Sequence, residues 1–158
     1  MNKKELDKIL SQHSLWLISG GKEGERADLR RADLRGAYLR RAYLTGANLT
    51  GANLTDAYLR RANLTDVELC DCVGNRKEIK SLQIEYFSIT YTSEIIQIGC
   101  EQHSFEEWKS FNDGEIDSID DQALKFWRKW KDWIFKTVEM SPAISTGNTE
   151  NKIKKEKL

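Results

Sequence analysis

A strict five-residue period in the first half of the chain constrains its fold more than any other feature. Between residues 27 and 71, nine consecutive units share one pattern without an insertion. Each contains a small residue, a polar residue or tyrosine, leucine, and two mostly polar residues. A fixed period indicates a repeat architecture in which each unit contacts mainly its neighbours. Alanine and leucine are two positions apart, so one face of an extended segment would direct both inward. The period therefore predicts an apolar core surrounded by polar side chains.

This block resembles the pentapeptide-repeat family, whose motif is a small residue, Asp or Asn, Leu and two variable positions. The resemblance implies a right-handed quadrilateral β-helix in which each unit forms one side of a coil. We therefore expect a mainly β fold, with a short β-helix over residues 26–72. Four units per coil would place residues that are twenty positions apart directly above one another, about 4.8 Å apart.

The regions on either side of the repeats have different patterns. Residues 1–25 are predicted to form a capping helix, because apolar residues recur there at helical spacing and Asn2 precedes them as an N-cap. Residues 73–142 are predicted to be an α+β region with two or three short strands, a helix that begins at Ser104, and a longer helix from Ser118 to about Glu139. Residues 143–158 are predicted to be a disordered tail.

One side of the predicted coil repeats letter for letter. Residues 37–41 and 57–61 both read Ala-Tyr-Leu-Arg-Arg and would stack on each other. We call the exposed residues of these two units the Tyr/Arg ladder; they are Tyr38, Arg40, Arg41, Tyr58, Arg60 and Arg61. Stacked arginines repel each other unless an anion lies against them. Arginine binds phosphate or carboxylate with two parallel hydrogen bonds, and tyrosine provides a stacking surface for a base.

The ladder therefore predicts a ligand-binding site for a nucleotide-like anion or an acidic surface of a host protein. Two structural alternatives are open. The arginines could form a solvated face, or residues 72–142, with thirteen acidic and nine basic groups, could fold back and neutralise them. The whole chain has no formal net charge, with 25 basic and 25 acidic residues.

The cysteines and the aromatic residues suggest further sites. Cys70, Cys72 and Cys100 do not resemble a secreted disulfide framework, and with His103 they could supply four zinc ligands. We predict buried structural cysteines instead, with no metal and no cofactor. In the long helix, Trp127, Trp130, Ile134 and Val138 follow the spacing of a buried stripe, whereas three aromatic residues fall outside it. These three residues are predicted to form a partner or homo-oligomer surface: Phe126, Trp133 and Phe135.

A second, looser resemblance involves the end of the α+β region. The run from Gln97 to His103, followed by Glu107-Trp108, is similar to small pentapeptide-repeat proteins that bacteriophages and prophages encode. This resemblance implies a phage accessory protein that acts on its host, with a role against host defence. The chain shows neither a signal-peptide pattern nor an apolar run of membrane-spanning length, so we expect a cytoplasmic protein without a membrane partner.

Several function classes fit the sequence less well. No catalytic triad, phosphate loop or carboxylate pair is recognisable, so we predict that the protein is not an enzyme. Some pentapeptide-repeat proteins imitate DNA and bind topoisomerases, but nine units make a rod only about 11 Å long. The repeat block is also net basic, where a DNA mimic should be acidic. Four arginines on a neutral protein make direct nucleic-acid binding weak at physiological salt. The remaining alternatives are a topoisomerase-binding mimic and a purely structural protein-protein interaction scaffold.

Overall fold

The computed structural model describes residues 1–147 and begins with one helix that packs on the repeats. Helix α1 spans Lys3–Ile18, and the side chain of Asn2 caps it by accepting a hydrogen bond from the Glu5 backbone. Leu6 lies in the same apolar cluster as the repeat leucines. His13 is fully buried, and its Nδ1 accepts a hydrogen bond from the N–H of Ala27, the first inward alanine. His13 is therefore a packed residue, as its position in the helix predicted.

The repeat segment pairs with itself every twenty residues. Isolated parallel β-bridges join residues at this separation, beginning with Asp28 and Asn48 and ending with Asn53 and Val73. Backbone hydrogen bonds repeat the pattern, as in the N–H of Leu29 donating to Asn48 and that of Leu49 donating to Glu68. Each side of a coil contributes a single bridge rather than an extended strand. The predicted stacking of residues twenty positions apart is confirmed, and it continues one position beyond the predicted boundary at 72.

The inward positions of the coils form one apolar core. The repeat leucines from Leu29 to Leu59 are at most 2% exposed, and most inward alanines are buried with them. The last residue of each unit has a positive φ, which turns the chain into the next side. Glycine meets this requirement at 36, 46 and 51, whereas arginine or aspartate adopts the same conformation at 31, 41, 56, 61, 66 and 71. Helices nevertheless contain more residues than the named strands, so the regular elements are not mainly β as predicted.

Residues after the repeats begin with an antiparallel sheet of four strands in sequence order. The strands are β1 (Lys80–Ile84), β2 (Phe87–Tyr91), β3 (Ile95–Ile98) and β4 (Glu101–Ser104). The predicted strands are present, with a fourth where only a helix start was expected. Helix α2 (Phe105–Ser110) then begins with the predicted capping box of Ser104 and Glu107.

Two short sequence signals were assigned to the wrong elements. Asn112, predicted to be in a turn, is the N-cap of helix α3 (Asp113–Asp117), where its side chain accepts from the Glu115 backbone. Ser118 ends α3 instead of opening the long helix. Helix α4 spans Ala123–Met140 and has no side-chain cap at its start. A capping residue followed by an acid fits either end of a short helix, so the pattern alone could not place these boundaries.

The width of the buried face of α4 corrects the prediction for Phe126. Ala123 and Phe126, three residues apart on one face of the helix, are buried together with the predicted stripe residue Trp127. The Phe126 ring contacts that of Phe87 at a centroid distance of 4.6 Å, and Phe126 is 5% exposed. Phe135 is half-buried against Trp127, whereas Trp133 is 47% exposed. Of the three predicted surface aromatics, Phe126 is core, Phe135 is mostly packed and Trp133 alone is substantially open.

Side chains from the second half cap the last coil, where no further coil follows. Buried Asn75 donates from its amide to the carbonyl of Ala57, and buried Gln97 accepts from the N–H of Leu69. The carbonyl of Thr146 accepts from the N–H of Arg61, and Ala143 is buried in the second core cluster. Residues 143–147, predicted to be disordered, therefore make defined contacts. The remainder of the predicted tail, 148–158, lies outside the described residues.

The cysteines pair in a way that the sequence did not predict. Cys70, at the end of the coils, forms a disulfide with Cys100, in the turn between β3 and β4. This bond removes two of the four suggested zinc ligands, and residues 1–147 contain no group of His, Cys, Asp and Glu suited to a metal. Cys72 is free and takes an inward position in the repeat core, where burial raises the pKa of its thiol to about 12. Since disulfides are rare in reducing compartments, the pairing weighs against the predicted cytoplasmic location, which stays a prediction.

Candidate anion-binding site

The two identical units of the Tyr/Arg ladder lie in register on one side of the coil. A parallel bridge joins Tyr38 to Tyr58, and the N–H of Leu39 donates to the Tyr58 carbonyl at 3.0 Å. One corner further, the N–H of Arg41 donates to the Arg60 carbonyl at 3.1 Å. Because the backbones are locked together, equivalent side chains stand above one another. The structure thus brings together all six residues that the sequence placed in this site.

The two tyrosines form a parallel stack on the outside of the coil. Their ring centroids are 4.9 Å apart and their planes differ by 11°, so the stack follows the spacing of the coils. Tyr38 is 76% exposed and Tyr58 is 43% exposed. One face of each ring covers the other, while Arg40 lies 5.7 Å from the centre of the Tyr58 ring. The stack is therefore an open aromatic surface with a cation beside it.

The four arginines of the ladder enclose a shallow cavity. Its volume is about 370 Å³, and it is lined by Arg40, Arg41, Arg60 and Arg61. All four are exposed. Within residues 1–147, no carboxylate forms an ion pair with any of them. We call this feature the arginine cavity. Residues 72–142 neither cover it nor neutralise it, so the second structural alternative from the sequence, fold-back of this region onto the arginines, does not hold.

Two residues of the arginine cavity have an unfavourable backbone conformation. Arg41 and Arg61 have φ values of 60° and 63°, in the left-handed region that favours glycine. A non-glycine residue in this region costs about 1 kcal/mol or more. The chain places glycine at the equivalent corner of three other units, so the corner itself does not require arginine. Arg31, Asp56, Asp66 and Asp71 adopt the same conformation at other corners, so the positive φ belongs to the repeat and does not by itself mark the ladder as a functional site.

Arg30 and Arg35, each at the fourth position of a unit on another side of the coil, are paired, in contrast to Arg40 and Arg60 of the ladder. The carboxylate of Asp28 accepts two hydrogen bonds from the Arg30 guanidinium, at 2.8 and 2.6 Å, and a third from the Arg30 backbone. Asp33 binds Arg35 in the same way. These bonds hold the pKa of Asp28 at about 2 and that of Asp33 well below its usual range. We call each of these pairs an Asp–Arg clamp.

The clamp explains why Arg40 and Arg60, two of the four ladder arginines, are unpaired. Asp28 and Asp33 occupy the second position of their units, two residues before the arginine that they bind. Tyrosine occupies that position at 38 and 58, and it offers no carboxylate to Arg40 or Arg60. This distinction was not predicted, although residues 27–31 and 37–41 differ only at the second position, which is Asp in one unit and Tyr in the other. It separates neutralised arginines from available ones.

Comparison with known proteins identifies the repeat type. The family model for pentapeptide repeats matches residues 26–73, in eight copies. No curated protein and no solved structure matches the chain. The family model counts eight copies of the repeat, whereas the five-residue pattern in the sequence contains nine units. Proteins with these repeats are generally structural or interaction proteins rather than enzymes, and the repeats often serve as protein-protein interaction modules.

The remaining predictions concern membrane-spanning helices, His103 and Trp133. Within the described part of the chain, no helix is long and apolar enough to cross a membrane. His103 stacks edge-on against Trp108 and Phe111, and its Nε2 lies 3.7 Å from the Glu101 carboxylate. It therefore packs among aromatic rings rather than beside a cysteine nucleophile. Trp133 contacts the ring of Trp130 at a centroid distance of 5.8 Å and is otherwise substantially exposed.

Proposed function

We propose that residues 26–72 form a right-handed quadrilateral β-helix that acts as a non-enzymatic binding module for a nucleotide-like anion. Residues 1–25 cap this module, and residues 73–142 form an α+β region at its other end. The observation that carries the proposal is the arginine cavity: four exposed guanidiniums, without a carboxylate partner among residues 1–147, around about 370 Å³. Arginine forks match phosphate oxygens in geometry and charge.

The contrast between clamped and unclamped arginines supports a ligand in preference to a solvated face. If the arginines served only to keep the surface polar, the Asp–Arg unit would do so without like-charge repulsion. Instead the chain carries four unpaired cations on one side, and two of them occupy strained corners. Both costs are offset when an anion binds, because charge-assisted hydrogen bonds contribute about 1.5–3 kcal/mol each.

We place this module among phage-type accessory proteins that act against host defence in the host cytoplasm. This setting rests on the resemblance of residues 97–108 alone. A sequestered signalling nucleotide would be the ligand in that case. An acidic surface of a host protein is the alternative anion, and the test below separates the two.

Thermal unfolding with a panel of cyclic and linear nucleotides tests the proposal. A ligand present at a hundred times its Kd should stabilise the protein by about 2.7 kcal/mol. The double variant Arg40→Gln, Arg60→Gln should lose that shift. The matched control, Arg30→Gln with Arg31→Gln, removes the same charge from a unit on another side of the coil that does not line the arginine cavity, and should keep it. Absence of a shift with every nucleotide, or equal loss in both double variants, would reject the nucleotide and leave the acidic protein surface as the candidate partner.

A further inference from the structure

A second cavity lies against the Tyr/Arg ladder on the side of helix α1. Its volume is about 310 Å³, which is at the lower end of the usual range for ligand pockets, roughly 300–1,000 Å³. Leu6 and Asp7 of α1 line one wall, and the corner at Gly36 and the ring of Tyr38 line the other. We call it the Tyr38 cavity. This cavity was not predicted, because it forms between two elements that are far apart along the chain.

The stack of the two tyrosines determines which ring face this cavity meets. Tyr58 covers one face of the Tyr38 ring. Tyr38 belongs to the first coil, and no earlier repeat unit lies beneath it on this side. Its other face is therefore directed toward α1, where it borders the cavity. Tyr38 is also the more exposed ring of the pair, at 76%.

Charge distinguishes the Tyr38 cavity from the arginine cavity. The arginine cavity is lined by four cations and no anion. The Tyr38 cavity has two basic side chains, Lys3 and Arg35, and two acidic ones, Asp7 and Asp33, and the Met1 ammonium adds one positive charge, so it is far less positive than the arginine cavity. Arg35 and Asp33 also neutralise each other in a clamp. A phosphate chain is therefore drawn to the arginine cavity, and an uncharged planar group suits the cavity beside Tyr38.

We infer that the Tyr38 cavity binds the base of a nucleotide whose phosphates occupy the arginine cavity, a statement that rests on the proposed function. The base extends the stack of Tyr58 and Tyr38 by one ring, on the free face of Tyr38. Stacking of a base on an aromatic side chain contributes enough to change affinity by about tenfold or more. The apolar wall of Leu6, Leu34 and Ala37 excludes water from the edge of the base. The carboxylate of Asp7 accepts hydrogen bonds, which favours a base with an exocyclic amino group.

Calorimetric titration of the full chain with adenosine triphosphate and with inorganic tripolyphosphate tests this inference. The two probes share the phosphate chain and differ in the base and ribose. We expect the nucleotide to bind at least tenfold more tightly. Ribose 5-triphosphate, which lacks the base, should bind like tripolyphosphate. Equal affinity of all three probes would overturn the base site while leaving the arginine cavity and the proposed function intact; absence of binding by every probe would overturn both.

A pair of tyrosine variants locates the effect. Tyr38→Leu should reduce the affinity for adenosine triphosphate to that for tripolyphosphate, and leave tripolyphosphate binding unchanged. Tyr43→Leu is the matched control: Tyr43 holds the same position in the next unit and is 51% exposed, but it does not line the cavity. It should keep the advantage of the nucleotide. Equal losses in both variants would overturn the assignment to Tyr38, and circular dichroism of each variant verifies that the coil is retained.

Discussion

Residues 27–31 and 37–41 form two sides of the same coil and differ at a single position. The first unit reads Ala-Asp-Leu-Arg-Arg and the second reads Ala-Tyr-Leu-Arg-Arg. In the first, the Asp28 carboxylate binds the Arg30 guanidinium and caps the Arg30 backbone N–H. In the second, Tyr38 stacks on Tyr58 and leaves Arg40 without a carboxylate. One side chain thus decides whether the neighbouring arginine is neutralised within its own unit or available to a ligand.

The comparison extends to the units that have asparagine at the second position. Asn48, Asn53 and Asn63 occupy the same second position, and each accepts a hydrogen bond from the backbone two residues later. Asp and Asn at this position therefore satisfy a turn N–H, as short polar side chains commonly do. Tyrosine gives up that hydrogen bond. The two ladder units lack this hydrogen bond and instead present an aromatic surface beside unpaired cations. That is the composition of a binding surface.

The largest expected effect comes from placing the clamp on the ladder. Tyr38→Asp together with Tyr58→Asp makes both units identical to residues 27–31, and it removes no arginine. Each new carboxylate should bind Arg40 or Arg60 and compete with the ligand. Because charge-assisted hydrogen bonds contribute about 1.5–3 kcal/mol each, the loss of two should weaken anion binding about a hundredfold. Titration calorimetry with tripolyphosphate measures the change.

A change of net charge alone must be separated from the local clamp. The single variant Tyr38→Asp should weaken tripolyphosphate binding by about tenfold or more. Tyr43→Asp makes the same change of charge on the neighbouring side, where Thr45 rather than arginine follows two residues later. It should have little effect. If both single variants weakened binding equally, overall electrostatics rather than an Asp–Arg clamp would explain the difference between the two sides.

A smaller effect, on stability, distinguishes a strained functional corner from an ordinary one. Arg41→Gly and Arg61→Gly relieve a positive φ and should each raise the free energy of unfolding by about 1 kcal/mol. The same substitutions remove two guanidiniums from the arginine cavity, so anion binding should fall while stability rises. Urea denaturation and titration calorimetry of the same preparations measure the two quantities.

Arg31→Gly is the control for this pair. Arg31 has a φ of 56° at the equivalent corner of another side, and it does not line the arginine cavity. It should gain similar stability and keep anion binding unchanged. A stability loss in Arg41→Gly or Arg61→Gly would show that these side chains support the coil itself, and it would contradict the view that they are retained for a ligand.

The parts of this site that depend on the period could be predicted from the sequence. Register follows from a repeat without insertions, so the stacking of Tyr38 on Tyr58 needed only the assumption of four units per coil. The Asp–Arg clamps depend on local turn geometry, which sets the distance between the second and fourth residues of a unit. The Tyr38 cavity depends on where α1 packs. Neither is encoded in the period.

The second half was less predictable because its patterns are short. The alternation of apolar and polar residues was sufficient to predict strands in the region of β1 to β3. Ser104 and Glu107, a capping box, were sufficient to predict the start of α2. The predicted stripe of α4 is confirmed at Trp127 and Ile134, but the buried face is wider than that stripe and also includes Phe126. The bond between Cys70 and Cys100 joins regions that only the folded chain brings together. Long-range packing determined each of these features.

The smallest expected effect concerns the stability that an Asp–Arg clamp itself provides. Asp28→Asn keeps the acceptor for the Arg30 N–H, as Asn48 does for Thr50 in the next coil, and removes the ion pair. The folded-state pKa of Asp28 is about 2, held down mainly by hydrogen bonds from the Arg30 side chain and then from its backbone; the unfolded value is about 3.9. The contribution of the ion pair is therefore complete above the unfolded pKa and is lost as the pH falls through about 2.

Because the pair is exposed, the difference between wild type and variant should be small at pH 6. Urea unfolding from pH 6 to pH 2 should show that difference disappear, and a difference that persisted at pH 2 would assign it to the backbone cap instead. A small effect at Asp28, beside a large loss of binding in Tyr38→Asp, would mean that the second residue of a unit controls access to its arginine far more than it controls the stability of the coil.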